Sequence, residues 1–309
     1  MYGVFGSEDC ISVDIITKTG LSMAPVSVWV HGGGFSGEDS GTAAGKVYPY
    51  YAKDGIVQVT AHYRLGALGW AVFQGAIEEA GHAGNYGMMD IVYELNWMQS
   101  NIATFGGDPS KLNLYGESAG GALVMALLAS PKTAMVKSFT MQSPYIGTGP
   151  AMFSQQSRKD TSAVYSMSGG CLGSTPVMPA AELACMRSLP AAYIGSFASE
   201  SWDAVYSADD RRRRAEHTRL PSAWQMVDAA GSAVFPVVDG EYLLTDPMAA
   251  IKLGTNADKP VIVGHVRARP TWRSTPTHTR AHTHTHTHTH THTHTHQNTR
   301  SRTRAHAWF

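Results

Sequence analysis

Residues 101–121 read NIATFGGDPSKLNLYGESAGG, and the order of apolar, small and turn-forming residues in this stretch decides the fold. Gly106-Gly107-Asp108-Pro109 stops a preceding helix and turns the chain. Residues 112–115 then form a short strand, and 118–128 are an apolar helical run. Between strand and helix stands Gly116-Glu117-Ser118-Ala119-Gly120, a G-x-S-x-G pattern. Small residues beside Ser118 allow a sharp turn, so that its Oγ projects from the top of a sheet. The helix N-terminus behind it favours negative charge developing there. Alone the pattern is a weak signal; the strand–turn–helix setting gives it meaning.

Upstream, VSVWV at 26–30 is a β-branched strand followed at once by His31-Gly32-Gly33-Gly34-Phe35. Consecutive glycines can present backbone N–H groups with no side chain intruding. Chemistry at a serine that passes through an oxyanion needs such donors about 3 Å from the developing charge. A flexible connection would account for the glycines in isolation. It does not account for their position directly after one strand and ahead of the serine turn that follows another.

The rest of the chain supplies the frame. Residues 11–17 (ISVDIIT), 56–60 (IVQVT), 138–142 (SFTMQ) and 260–264 (PVIVG) read as strands, and 86–103 carry apolar residues at helical spacing. Residues 235–246 (FPVVDGEYLLTD) are expected to return to strand and turn. The section from 154 to 225 is more helical and polar; its four arginines, 211–214, read as a solvated loop or helix end, with phosphate binding the weaker alternative. Strands alternating with helices predict an α/β fold with a mostly parallel central sheet flanked by helices.

With 309 residues, 43% of them hydrophobic, the chain is large enough for a substantial core, and no window is apolar for long enough to span a membrane. The formal charge of zero hides an asymmetry: all 24 acids lie at or before Asp258, giving that body a charge of −8, while 8 bases and no acid follow. An acidic body gives no reason to expect nucleic acid as partner. Residues 1–10 have no charged region followed by an apolar one and are not expected to act as a signal peptide as written. Ten of the fifteen histidines fall from His278 onward, and 282–296 are a strict His-Thr alternation with no apolar face to bury. The codons CAC and ACA alternate in a CA dinucleotide repeat, so residues 267–309 are expected to be disordered or to be translated repeat from a missed splice junction or frameshift. Metal binding by the alternate histidines is the weaker alternative. Cys171 and Cys185 are either bridged, closing a loop of 15 residues, or free and buried. Cys10 leaves the count odd.

Several segments together resemble the type B carboxylesterase and cholinesterase-like family of α/β-hydrolases: SEDC at 7–10, VHGGGF at 30–35, YRLGALG at 63–69, GNYGMMD at 84–90 and the whole of 101–121. Weaker echoes are QS at 142–143, the Cys171/Cys185 pair followed by MRSL, and FPVVDGEYL. The resemblance implies a serine carboxylic-ester hydrolase domain over 1–266, acting on small-molecule esters without a cofactor. It implies that Ser118 is the nucleophile and that the backbone N–H groups of Gly33, Gly34 and Ala119 form the oxyanion hole. Glu117, Asn85 and Asp90 match supporting positions, although ordinary buried hydrogen bonding would account for them equally well. Cys171 and Cys185 match a family disulfide, which leans towards a secreted or secretory-pathway protein.

The chain also departs from the family. The expected acid falls near Arg269, no Asp or Glu follows Asp258, and the tail histidines sit in no matching motif. Of the others, His31 belongs to the glycine loop, while His62, His82, His217 and His265 match no base position. The acid and base of a triad are therefore missing from this chain. The chain is expected to be truncated at both ends, with a partner for Cys10 upstream. It is also expected to be nearly inactive and, with an open sheet edge after 260–264, poorly soluble. A non-catalytic binding or adhesion protein of the same fold is the alternative.

Overall fold

The computed structural model describes residues 7, 9–37, 53–144, 155–172, 178–195, 235–264, 266–268, 283–285 and 305–308. Its main sheet contains β1 (Val13–Ile16), β2 (Ala24–Val30), β3 (Val57–Ala61), β4 (Gly107–Glu117), β5 (Val136–Gln142), β6 (Val261–Gly264) and β9 (Ala305–Trp308), in the order β1-β3-β2-β4-β5-β6-β9. The inner strands β3, β2, β4, β5 and β6 run parallel, and β1 and β9 close the two sides antiparallel. A separate pair, β7 (Val266–Ala268) with β8 (Thr283–Thr285), follows β6. The helices are α1 (Gly66–Trp70), α2 (Gln74–Ala80), α3 (Tyr86–Asn101), α4 (Ala119–Leu128), α5 (Gln155–Ser168), α6 (Pro179–Ser188) and α7 (Pro247–Lys252).

The central strands are where the sequence is most β-branched. Val26, Val28 and Val30 of β2 and Val57 and Val59 of β3 are fully buried, as are Leu112 and Leu114 of β4. A sheet covered on both faces takes such runs because both sides of each strand are dry. All ten residues of α4 are buried, which suits a helix that is apolar all round. The amphipathic helix α3 turns Met88, Ile91, Leu95 and Met98 inward and leaves Tyr93 and Trp97 at the surface.

Three expectations are refined or corrected. β4 begins as far back as Gly107, which pairs with Ala24, but its register is broken until Leu112. The interruption is the anticipated turn: Oδ1 of Asp108 accepts from the amide and hydroxyl of Ser110 at 2.9 and 2.7 Å. Second, 235–246 contain no strand. Their backbone is satisfied by side chains: Val237 exchanges hydrogen bonds with Asn85, and Oδ1 of Asp239 accepts from the amides of Glu241, Tyr242 and Leu243. Third, the edge of β6 is not open, because β9 pairs with it from Val261 to Gly264. Unpaired N–H and C=O groups on a sheet edge accept any extended segment within reach.

Cys171, just beyond α5, is bonded to Cys185 on α6, while Cys10 is free and exposed. The arginine run 211–214, His217, His265, Arg269 and most of the His-Thr tract lie outside the described residues. Among the described residues no helix is long and apolar enough to cross a membrane.

Candidate active site

β2 and β4 are neighbours, and their C-terminal ends come level where Val30 pairs with Gly116. The glycine loop leaves the first strand and the serine turn leaves the second, so parallel pairing alone puts the two motifs side by side. Ser118 sits between strand and helix with φ 56° and ψ −120°. A non-glycine residue at positive φ is strained by about 1–3 kcal/mol and persists only where its surroundings hold it. Here its amide donates to the carbonyl of Gln142 on β5 at 2.9 Å, and its carbonyl accepts from Ala122 in α4 at 3.0 Å. Ser118 is half-buried.

The glycines of the turn are required by proximity. A Cβ on Gly120 would lie 2.1 Å from the carbonyl oxygen of Val30 and 2.5 Å from that of His31. One on Gly116 would lie 2.6 Å from the backbone of Gly120. The turn is thus folded against the root of the glycine loop. The Ser118 amide is engaged by Gln142, while the first amides of α4, that of Ala119 among them, have no acceptor within the helix.

In the loop, Gly33, Gly34 and Phe35 all adopt positive φ, at 80°, 61° and 63°. The Gly33 carbonyl accepts from the amides of Ser36 and Gly37 at 3.2 Å each. Phe35 is buried against Trp70 and Phe235, with ring centroids at 4.8 and 5.2 Å. His31 is buried and stacked on Tyr63 at 4.4 Å. These contacts anchor both ends of the glycine run.

The three supporting residues take different places. Glu117 is exposed at the end of β4. Asp90 is buried on α3 and receives four hydrogen bonds from Arg64: the backbone amide at 2.9 Å, Nε at 2.8 and 3.1 Å, and Nη2 at 2.7 Å. The carboxylate raises the Arg64 pKa, chiefly through those side-chain hydrogen bonds. Asn85 is fully buried in the left-handed region, with φ 59°, and ties α3 to the backbone of Val237 and, at 2.8 Å, to Oδ2 of Asp239. Asp90 thus fixes the chain at Arg64, and Asn85 fixes it at 237–239. His62 pairs with Asp14 at 3.0 Å and His82 with Glu241 at 3.4 Å. A cleft of about 640 Å³ between α2 and α6, lined by Glu78, Glu79 and Arg187 among others, contains neither motif.

Sequence reading overlooked Glu94, a carboxyl group buried on α3 one turn after Asp90. Its Oε1 accepts from the His62 amide at 3.2 Å, and its Oε2 has no partner. Burial pushes its pKa well above the ordinary 4.5; the His62 amide opposes this and Asp90 adds to it. The folded chain therefore keeps a proton that the unfolded chain has lost, and stability must fall as pH rises above about 4.5 towards the folded value. Urea unfolding at pH 5 and pH 8 should show this slope, and Glu94→Gln should flatten it. An identical slope in the variant would clear Glu94 of responsibility.

A mostly parallel sheet carrying a strained serine turn beside a glycine loop is the architecture of the α/β-hydrolases. The carboxylesterase family model matches residues 2–307, and the chain belongs to that family. It is 42% identical over 134 residues to fumonisin B1 esterase of Sphingopyxis macrogoltabida, a match covering 40% of this chain and 24% of that protein. Cholinesterase 1 of Branchiostoma lanceolatum is 31% identical over 277 residues, covering 84% of this chain and 67% of the relative. A solved PNB esterase superposes with TM-score 0.65 and 26% identity, over 87% of this chain and 51% of that one. The chain thus matches about a quarter of the first of these relatives and half of the solved esterase.

Proposed function

We propose that this chain carries the nucleophile and oxyanion-binding half of a serine carboxylic-ester hydrolase. The observation that supports this best is Ser118 at φ 56°, ψ −120°, at the end of a central strand, in a turn whose Gly120 lies against the carbonyls of Val30 and His31. Ser118 Oγ attacks the ester carbonyl and the alcohol leaves, giving an acyl-enzyme that water hydrolyses. Gly33, Gly34 and Ala119 donate backbone N–H groups to the oxyanion. Asn85 and Asp90 hold the surrounding loops in place, and Glu117 flanks the serine on the strand side. The substrate is a small-molecule ester and no cofactor takes part. The Cys171–Cys185 bridge favours an oxidising compartment.

Serine needs a base, and the base needs an acid to orient it. His62 and His82 are paired with carboxylates of their own, and Arg269 stands where the resemblance calls for an acid. The chain as it stands is therefore slow. Loss of a triad member still leaves a rate about 10³–10⁴ over water. Incubated with p-nitrophenyl acetate, the protein should acquire an acetyl group on Ser118 slowly and keep it, because deacylation also lacks its base. Mass spectrometry of the protein and of Ser118→Ala checks this. Rapid turnover abolished in the variant would show that the chain supplies a base after all. Absence of any adduct would favour the second reading, a binding protein on the same fold, which Arg269 at the position where the resemblance calls for an acid supports.

A further inference from the structure

Three successive peptide planes in the glycine loop have their carbonyl oxygens tied down. The His31 carbonyl accepts from the Tyr63 hydroxyl at 2.8 Å, and the same hydroxyl lies 3.4 Å from the Gly32 carbonyl. That second carbonyl is also 3.1 Å from Nδ1 of His31, which donates to it in the tautomer protonated there. The Gly33 carbonyl is held by the Ser36 and Gly37 amides. In a planar trans peptide the C=O and the next residue's N–H point in opposite directions. Holding the carbonyls of Gly32 and Gly33 on the protein side therefore turns the N–H groups of Gly33 and Gly34 the other way. Glycine in the left-handed region has little intrinsic preference that would do this on its own.

We propose that Tyr63 is a positioning residue of the site: its hydroxyl, clamped across the His31 and Gly32 carbonyls, aims the amides of the glycine loop. This rests on the reading of Ser118 as an acylated nucleophile. The hydroxyl is well placed for the task. Tyr63 is 5% exposed, its ring is stacked on His31 and stands edge-on to Trp70 at 6.1 Å, and its neighbour Arg64 is locked to Asp90. The phenol therefore has little freedom to reorient. Both partners described for the hydroxyl are backbone carbonyls of the loop, and it is through the loop that it acts on the rate.

Tyr63→Phe keeps the ring and removes the hydroxyl that makes the clamp. Two measurements on the full-length chain test it. In ¹⁵N-glycine-labelled protein, the Gly33 and Gly34 amide signals should broaden or split in the variant, while those of Gly116 and Gly121 stay unchanged and report an intact fold. With p-nitrophenyl acetate, the maximal rate of Ser118 acetylation should fall about ten- to a hundredfold, the scale of a slightly misplaced reacting group. The ester concentration giving half that rate should change by less than about twofold, because a mis-aimed donor acts on the transition state rather than on the bound ester. Unmoved, sharp Gly33 and Gly34 signals would overturn the clamp whatever the chemistry does. Altered signals with an unchanged acetylation rate would overturn its role in the reaction. A wild-type chain that is never acetylated would instead remove the nucleophile reading, and the positioning role with it.

Discussion

Arg64→Met should lower stability by about 3–5 kcal/mol, the cost of breaking a buried pair from the side that leaves a charge behind. Asp90 is buried, its side chain only 1% exposed, and Arg64 supplies all four hydrogen bonds described for it. Without the guanidinium, the carboxylate retains only the residue 64 amide. The reverse change should be milder. Arg64 is 34% exposed at its side chain, so its head group can recover water, and in Asp90→Asn the amide oxygen can still accept from the Arg64 backbone. A loss of about 1–3 kcal/mol is expected there. Urea denaturation of the two single variants measures the difference directly. Equal losses would mean that the pair acts as a surface ion pair, with solvent reaching Asp90 as easily as Arg64. The pair also matters for the site, since Arg64 follows Tyr63 and fixes the chain beneath the glycine loop.

Sequence made the skeleton legible where local chemistry and fold agree. Valines in 26–30 and 56–60, the glycine run and the turn around Ser118 each have one favourable local reading, and the structure adopts it. Legibility failed where a distant partner decides. Residues 235–246 look like strand because Phe235, Val237 and Val238 are β-forming, yet buried Asn85 captures the Val237 backbone and removes it from any ladder. Asp90 drew attention, but its partner lies 26 residues away, with α1 and α2 between them, and spacing gives no hint of it. The hydroxyl of Tyr63 was invisible for the same reason. Glu94 could have been noticed: it interrupts the apolar face of α3 among Ile91, Leu95 and Met98. A carboxylate at such a position either is paired or shifts its pKa, and here the shift prevails.

Gly120→Ala separates helix propensity from packing, because the two predict opposite signs. Gly120 is the second residue of α4, and by propensity alone alanine there gains about 1 kcal/mol. Its methyl group, however, would stand 2.1 Å from the Val30 carbonyl oxygen and 2.5 Å from that of His31. A flexible side chain could give way, but these are backbone atoms of a central strand and of the glycine loop's first residue. Overpacking of an ordinary core costs about 1–3 kcal/mol. This site should exceed that, since relief requires moving α4 off β2 or displacing the loop. The variant should either unfold at markedly lower denaturant or fold with the serine turn pushed out of place, and in both cases Ser118 acetylation should be lost. Gly37→Ala is the matching control: nothing lies within 4 Å of a Cβ there and its φ is not positive, so stability should change by no more than about 0.5 kcal/mol. A Gly120→Ala chain as stable as the control would show that the turn does not press on Val30. The close approach of serine turn and glycine loop, on which the reading of the site depends, would then fail with it.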